Sequence, residues 1–189
     1  MIYDIDAQIG MVSCNFRIFV QKIPPNIGSR KYGVAKAANL IAVKVLSSNG
    51  SGAMADVVGG VLWAAEQAAS KLAAAKAEFA ATGKTRHKGS IANMSRGGGK
   101  SQALDDAVNK AVDSGIHFAV AAGNDNRNAC YYSPAAAEGA ITVGASTLAD
   151  ERAYFSNYGE CVDVFVPGKH RRMIFQDRVF SCRSFHASL

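Results

Sequence analysis

The stretch HFAVAAGNDN, residues 117–126, restricts the folds open to this chain more than any other. A short apolar run closed by Gly123 reads as a buried strand, and polar residues just past its carboxyl end fall where open α/β sheets hold their ligands. Asn124 is the residue there best suited to chemistry. A side-chain amide fixed in a cleft donates to an oxygen that turns negative in a transition state, worth roughly 3 to 4 kcal/mol in enzymes that use one. The plainer reading of these ten residues is a Gly-Asn turn, and the stretch alone leaves both open.

The neighbouring segments supply the grammar around that strand. NLIAVKVL, residues 39–46, is a β-rich run with one interior lysine. A long helical pattern follows over residues 56–81, with Leu62, Ala65, Ala69 and Leu72 at helical spacing and many alanines of high propensity. GSIANMS, residues 89–95, is a second strand. Ser101 stands as an N-cap for a second helix whose stripe is Leu104, Val108 and Val112, with Asp105 and Asp106 in its first turns and Gly115 at its end. After the strand 117–123, ITVGAS and VDVFVPG read as two more. Strand, helix, strand, helix, strand is the signature of right-handed βαβ units, so the class is α/β with a parallel sheet and crossover helices. Residues 1–28 carry no clear period and contain Pro24 and Pro25, and 169–189 lose periodicity again. Three segments follow: an irregular 1–30, an ordered 31–168 and a basic tail 169–189.

With 189 residues and 49% apolar content, the chain can bury a real core. Its net charge of +6 gathers near the two ends without a recognisable nucleic-acid motif, which argues against a nucleic-acid partner. RGGGKS, residues 96–101, invites a phosphate-loop reading but lacks the first glycine of that motif. No apolar run reaches the roughly 18 residues that cross a bilayer, so no membrane span is expected. The first ten residues are acidic where a secretory leader is basic, so none is expected there. Cys14, Cys130, Cys161 and Cys182 have no zinc-site spacing.

The stretches KYGVAKAANLIAVKVL, SGAMADVVGGVLWA, SIANMS with its glycine run, AVAAGNDN, YYSPAAAEGAITVGAS and ERAYFSNYGECVDVFVPG together resemble the subtilisin-like serine proteases, and within them the fungal proteinase K and vacuolar group. The resemblance covers 31–168. It implies a three-layer subtilisin-like core, here incomplete at both ends, and peptide-bond hydrolysis by a Ser/His/Asp triad with an extended substrate groove. It makes Asn124 the side-chain donor of the oxyanion hole. Ala121, Ala122 and Gly123 become one wall of the primary specificity pocket, with Ser51, Gly52 and Ala53 as one substrate-binding edge and Ser95, Arg96 and Gly97 as the other. Arg96 stands where the family usually has leucine, placing a charge in an apolar subsite. The resemblance also implies a calcium position built from the Asp163 carboxylate and the carbonyls of Glu138 and Ala140, oxygen ligands of the right kind; a surface aspartate beside loop carbonyls is the alternative. No other cofactor is required. Cys130 and Cys161 lie within matched segments, where a disulfide suited to secretion or a vacuole and two buried thiols are both open.

What the family motif pattern also requires is an Asp-(Thr/Ser)-Gly after a strand, a His-Gly-Thr-His and a Gly-Thr-Ser-Met-Ala; the last two occur nowhere in the 189 residues, and the one Asp-Ser-Gly, residues 113–115, closes the second helical pattern instead of following a strand. Asp6 is only a faint counterpart of the first. His87, His117, His170 and His186 lack the spacing of a base, and Ser133 and Ser156 read as loop serines. The expectation is therefore a truncated subtilase fragment, inactive alone. The alternative is a non-catalytic relative that holds an extended peptide in the remaining groove.

Overall fold

The computed structural model describes residues 9–13, 27, 35, 38–47, 50–85, 87–95, 97–168, 173–175 and 178–180. Six strands make the main sheet: β1 (Ile9–Ser13), β2 (Asn39–Val43), β3 (Ser90–Met94), β5 (Ile116–Ala121), β7 (Ile141–Ser146) and β8 (Val164–Pro167), in the order β2-β1-β3-β5-β7-β8. A small ribbon pairs β4 (Gly98–Gly99) with β6 (Tyr132–Ser133), and a hairpin pairs β9 (Met173–Phe175) with β10 (Arg178–Phe180). Helix α1 (Met54–Thr82) links β2 to β3, and α2 (Gln102–Asp113) links β4 to β5.

The α/β reading holds. β3, β5, β7 and β8 pair in parallel, each strand followed by a crossover that returns the chain to the same end. α1 runs two residues past the expected span at its start and one at its end. It stops where Gly83 takes φ 68 and its N–H donates to the Phe79 carbonyl at 2.8 Å, a left-handed cap that a Cβ would disfavour. α2 lies where its apolar stripe puts it. Ser101 occupies its N-cap position without a capping side-chain bond; instead its N–H donates to Ser133 Oγ at 2.8 Å.

Two expectations are corrected. Residues 9–13 are not irregular but form β1, antiparallel to both β2 and β3, so the sheet is mixed rather than all parallel. IGMVS is five residues with neither a strict alternation nor a turn signal, and its partners lie 26 or more residues away, so nothing local announces it. The tail 169–189 also contains a hairpin, in which Arg178 sits opposite Phe175. Its two-residue connection lacks the Asn-Gly or Asp-Gly that marks a tight turn.

The core lies between one face of the sheet and both helices. Val43, Ala92, Met94, Ile116, Phe118 and Val120 pack against Val61, Ala64 and Ala68 of α1 and Leu104, Val108 and Ala111 of α2. Alanine is the commonest contact residue on α1, and small side chains let a helix ride close on a sheet. Among the described residues no helix is long and apolar enough to cross a membrane.

Candidate functional site

Each segment marked for substrate handling leaves the sheet at the carboxyl end of a strand. Ser51, Gly52 and Ala53 follow β2 through a loop in which the Ser51 carbonyl accepts from the Ser47 N–H at 2.8 Å and from Ser47 Oγ at 2.6 Å. Ser95 and Gly97 follow β3. Ala121 ends β5, and Ala122, Gly123 and Asn124 continue from it. β2 and β3 are both antiparallel to β1, and β3 is parallel to β5, so all three segments share one edge of the sheet. That edge is where polar loops gather in open α/β folds.

Local contacts set the shape of two of these segments. Gly97 passes so near the Ser133 carbonyl that a Cβ would collide with it, which fixes Gly97 beside the β4–β6 ribbon. Buried Asn93 donates from Nδ2 to Ser95 Oγ at 2.9 Å, holding that serine from beneath. At the third segment Ala122 is fully buried, with its N–H on the Val143 carbonyl at 2.9 Å, while Gly123 and Asn124 are half-buried at the rim. Gly123 has φ 100, and a Cβ there would meet Asn157 Nδ2.

The loop after Asn124 is shaped by chain arriving about thirty residues later in sequence. Asn157 is fully buried; its Oδ1 accepts from the N–H groups of Asp125 and Arg127 at 2.9 and 3.0 Å, and its Nδ2 donates to the Ala122 carbonyl at 2.9 Å. The Asn126 N–H donates to the Phe155 carbonyl at 2.9 Å, and Arg152 Nη1 donates to Asn126 Oδ1 at 2.8 Å. The same guanidinium lies 5.0 Å from the Tyr158 ring centre. Cys130 and Cys161 are joined by a disulfide, Cα to Cα 5.4 Å, which ties the end of this loop to the turn after Tyr158. Removal from water, then the Asp125 carboxylate, push the Tyr132 phenol above its usual 10.0, with Arg127 pulling the other way.

Asn124 thus stands half-buried at the rim of a loop that follows Gly123 and is backed by the buried Asn157. Comparison with known proteins names the family. The Subtilase family model matches residues 21–187. The chain belongs to the subtilase family. It is 68% identical over 143 residues to the subtilisin-like serine protease Pen c 2 of Penicillium citrinum, a match covering 75% of this chain and 30% of that protein. It is 65% identical over 143 residues to alkaline protease 2 of Aspergillus fumigatus, covering 75% of this chain and 28% of that protein. Among solved structures, a cold adapted subtilisin-like serine proteinase matches with a TM-score of 0.67 and 42% identity, over 82% of this chain and 52% of that one. This subtilase thus spans less than a third of the length of these curated relatives.

The remaining candidates of this subtilase sort by position. Arg96 lies outside the described residues, as do Asp6, Cys14, Cys182, His170 and His186. Glu138 and Ala140 precede β7 and Asp163 precedes β8, so this trio sits at the amino ends of adjacent strands, opposite the Asn124 edge. There the Thr142 N–H donates to Asp163 Oδ2 at 2.7 Å, and the Asp163 N–H donates to the Thr142 carbonyl at 2.9 Å. His87 precedes β3 and His117 lies at the start of β5, roughly 20 Å of extended strand from Asn124. Ser133 is buried against Ser101, and buried Ser156 Oγ accepts from the Ala145 N–H at 2.9 Å and donates to the Asn157 carbonyl at 3.0 Å.

Sequence reasoning missed Asn93, Arg152 and Asn157. FSNYG, residues 155–159, carried a signal in its Ser-Asn pair before a glycine, which reads as turn chemistry; the long-range task of that asparagine is visible only in three dimensions.

Proposed function

We propose that this chain carries the oxyanion-binding and substrate-aligning portion of a subtilisin-like serine endopeptidase. Asn124 donates its amide to the scissile carbonyl oxygen as that oxygen becomes negative. An extended peptide lies between the edges Ser51–Ala53 and Ser95–Gly97, where main-chain groups give affinity and side-chain pockets give selectivity. Ala121, Ala122 and Gly123 wall the primary pocket, and Arg96 places a charge in a subsite that the family keeps apolar. The observation that carries this reading is the half-buried Asn124 on a rigidly backed loop at the carboxyl edge of the sheet. The substrates are peptides or proteins, and the Cys130–Cys161 pair suits an oxidising compartment, secreted or vacuolar.

Hydrolysis also requires an activated serine, a histidine base and an aspartate to orient it. Neither the histidine nor the serine motif stands in these 189 residues, and the one Asp-Ser-Gly, at 113–115, closes α2 instead of a strand, so the chain alone is inactive, about six orders of magnitude below an enzyme with its triad. Incubation with a chromogenic peptide and, separately, with a serine-directed fluorophosphonate tests this. No turnover and no label is the expected result, and labelling at any serine overturns it. The second reading, a non-catalytic peptide binder, is favoured by the same absence; calorimetry that finds no peptide binding removes it.

The carbonyls of Glu138 and Ala140 with the Asp163 carboxylate form our candidate calcium position. The carbonyl and carboxylate oxygens of this trio are the hard ligands that suit calcium. Asp163 is exposed at adjoining strand starts, which fits a surface ion. Calcium is expected to raise Tm in the unsubstituted chain and to leave Asp163→Ala unmoved.

A further inference from the structure

Asn157 has no exposure to solvent, and its polar groups serve the loop that carries Asn124. One side chain holds residues on both sides of that amide: Ala122 through Nδ2, and Asp125 and Arg127 through Oδ1. Its own N–H donates to the Gly123 carbonyl at 3.0 Å. The pattern needs a donor and an acceptor on one planar group, which only an amide or a protonated carboxyl of this length supplies. The left-handed backbone of Gly123 leaves the space that this amide fills.

We infer that Asn157 is the positioning residue of the oxyanion loop, fixing the direction in which the Asn124 amide points. The inference rests on the proposed role of Asn124. Asn157 touches no substrate; it acts by holding the peptide planes before and after Asn124, where a misplacement of about 1 Å costs about a hundredfold in rate in enzymes generally.

Amide hydrogen exchange by NMR on the full ligand-free chain, with Asn157→Ala and Asn157→Asp, tests it. At neutral pH both variants are expected to lose protection at the Asp125 and Arg127 N–H groups by about tenfold relative to the sheet amides of β5 and β7. On acidification Asn157→Asp recovers, because its protonated carboxyl again donates to Ala122 and accepts from Asp125 and Arg127, whereas Asn157→Ala does not. Asp125 and Tyr132 face the same loop, so the unsubstituted chain is titrated in parallel. Unchanged protection, loss spread evenly over the sheet, or no acid recovery overturns the inference. Should neither variant fold, exchange in the unsubstituted chain decides: the two N–H groups and Asn157 Nδ2 exchange in one event if the inference holds, and independently if it does not. Titration of the unsubstituted chain with an extended alanine-rich tetrapeptide amide, read at the Asn124 side chain, tests the role of Asn124 separately. No response there removes that role and leaves the ligand-free result standing.

Discussion

Gly123 sits at φ 100 with Asn157 Nδ2 in the space a side chain would need, so two separate constraints exclude any other residue. Gly123→Ala is expected to destabilise the chain by about 2 kcal/mol, the sum of left-handed strain and a displaced buried amide, read as a lower urea midpoint at constant m. The sequence marked Gly123 and Asn124 because their turn chemistry is local. It could not mark Asn157, whose partners lie 30 to 35 residues away. Tyr132 adds a pH dependence. Withdrawal from water and the Asp125 carboxylate raise its folded pKa above 10.0, so the folded state favours the neutral phenol. That contribution is complete below the unfolded value and is lost as pH rises through the folded one. The unfolding midpoint of the parent is therefore expected to fall more steeply above about pH 10 than that of Tyr132→Phe, the difference between the two curves isolating this group from other tyrosines and lysines.

At the scale of elements, what was legible was whatever buries one face with a local period. α2 announced itself through Leu104 and Val108 and β5 through its apolar run, while α1 was legible as a helix but not in its face: Val61, Ala64 and Ala68 are buried, one position before the stripe Leu62, Ala65, Ala69 and Leu72, and Leu62 is exposed. β1 did not, since a strand inserted between two others takes its register from partners rather than from its own five residues. The β4–β6 ribbon hid inside the glycine run, where the absence of side chains leaves no pattern to read. It is pinned instead by the Ser101–Ser133 hydrogen bonds and by Lys100 Nζ, 2.9 Å from Asp105 Oδ2 in the first turn of α2. The loop bearing Asn124 and the segment Arg152–Tyr158 are separate elements joined by the hydrogen bonds of Asn157, Asn126 and Arg152, and the Cys130–Cys161 link closes just past both. Its residues are 31 apart, and closing a loop of that length restricts the unfolded chain by roughly 3 to 4 kcal/mol. The paired substitution Cys130→Ser with Cys161→Ser is expected to lower stability by about 3 kcal/mol, with the loop amides of Asp125 and Arg127 losing protection before those of β7. Equal loss throughout the sheet would show that the link acts on the whole fold rather than on this loop.

For the whole molecule, the two faces of the sheet have different fates. One is covered by α1 and α2. Among the described residues the other is covered in part, where Ala121, Val143 and Ala145 lie buried and Ala153 and Phe155 pack over Ala121 and Ala145. The register carries that second face onward: Ile91 pairs with His117, Ala119 with Ile141, and Val143 with Val164, so Ile91, Ile141 and Val164 point the same way. They are 36%, 51% and 41% exposed. Fully burying one such side chain is worth about 1.5 to 3 kcal/mol, and several exposed on one face favour association. The fold class was readable because strand and helix periods are local, and the partial cover of this face was not, because cover is a property of the assembled sheet. Sedimentation velocity on the isolated chain is expected to show mass that rises with concentration. Replacing Ile91, Ile141 and Val164 together by threonine keeps the β-branched shape that strands favour while removing apolar surface, so secondary structure should survive and the concentration dependence should fall away. If the triple variant associates as strongly as its parent, the contact lies elsewhere, and the exposed Val164–Pro167 edge strand is the next surface to substitute.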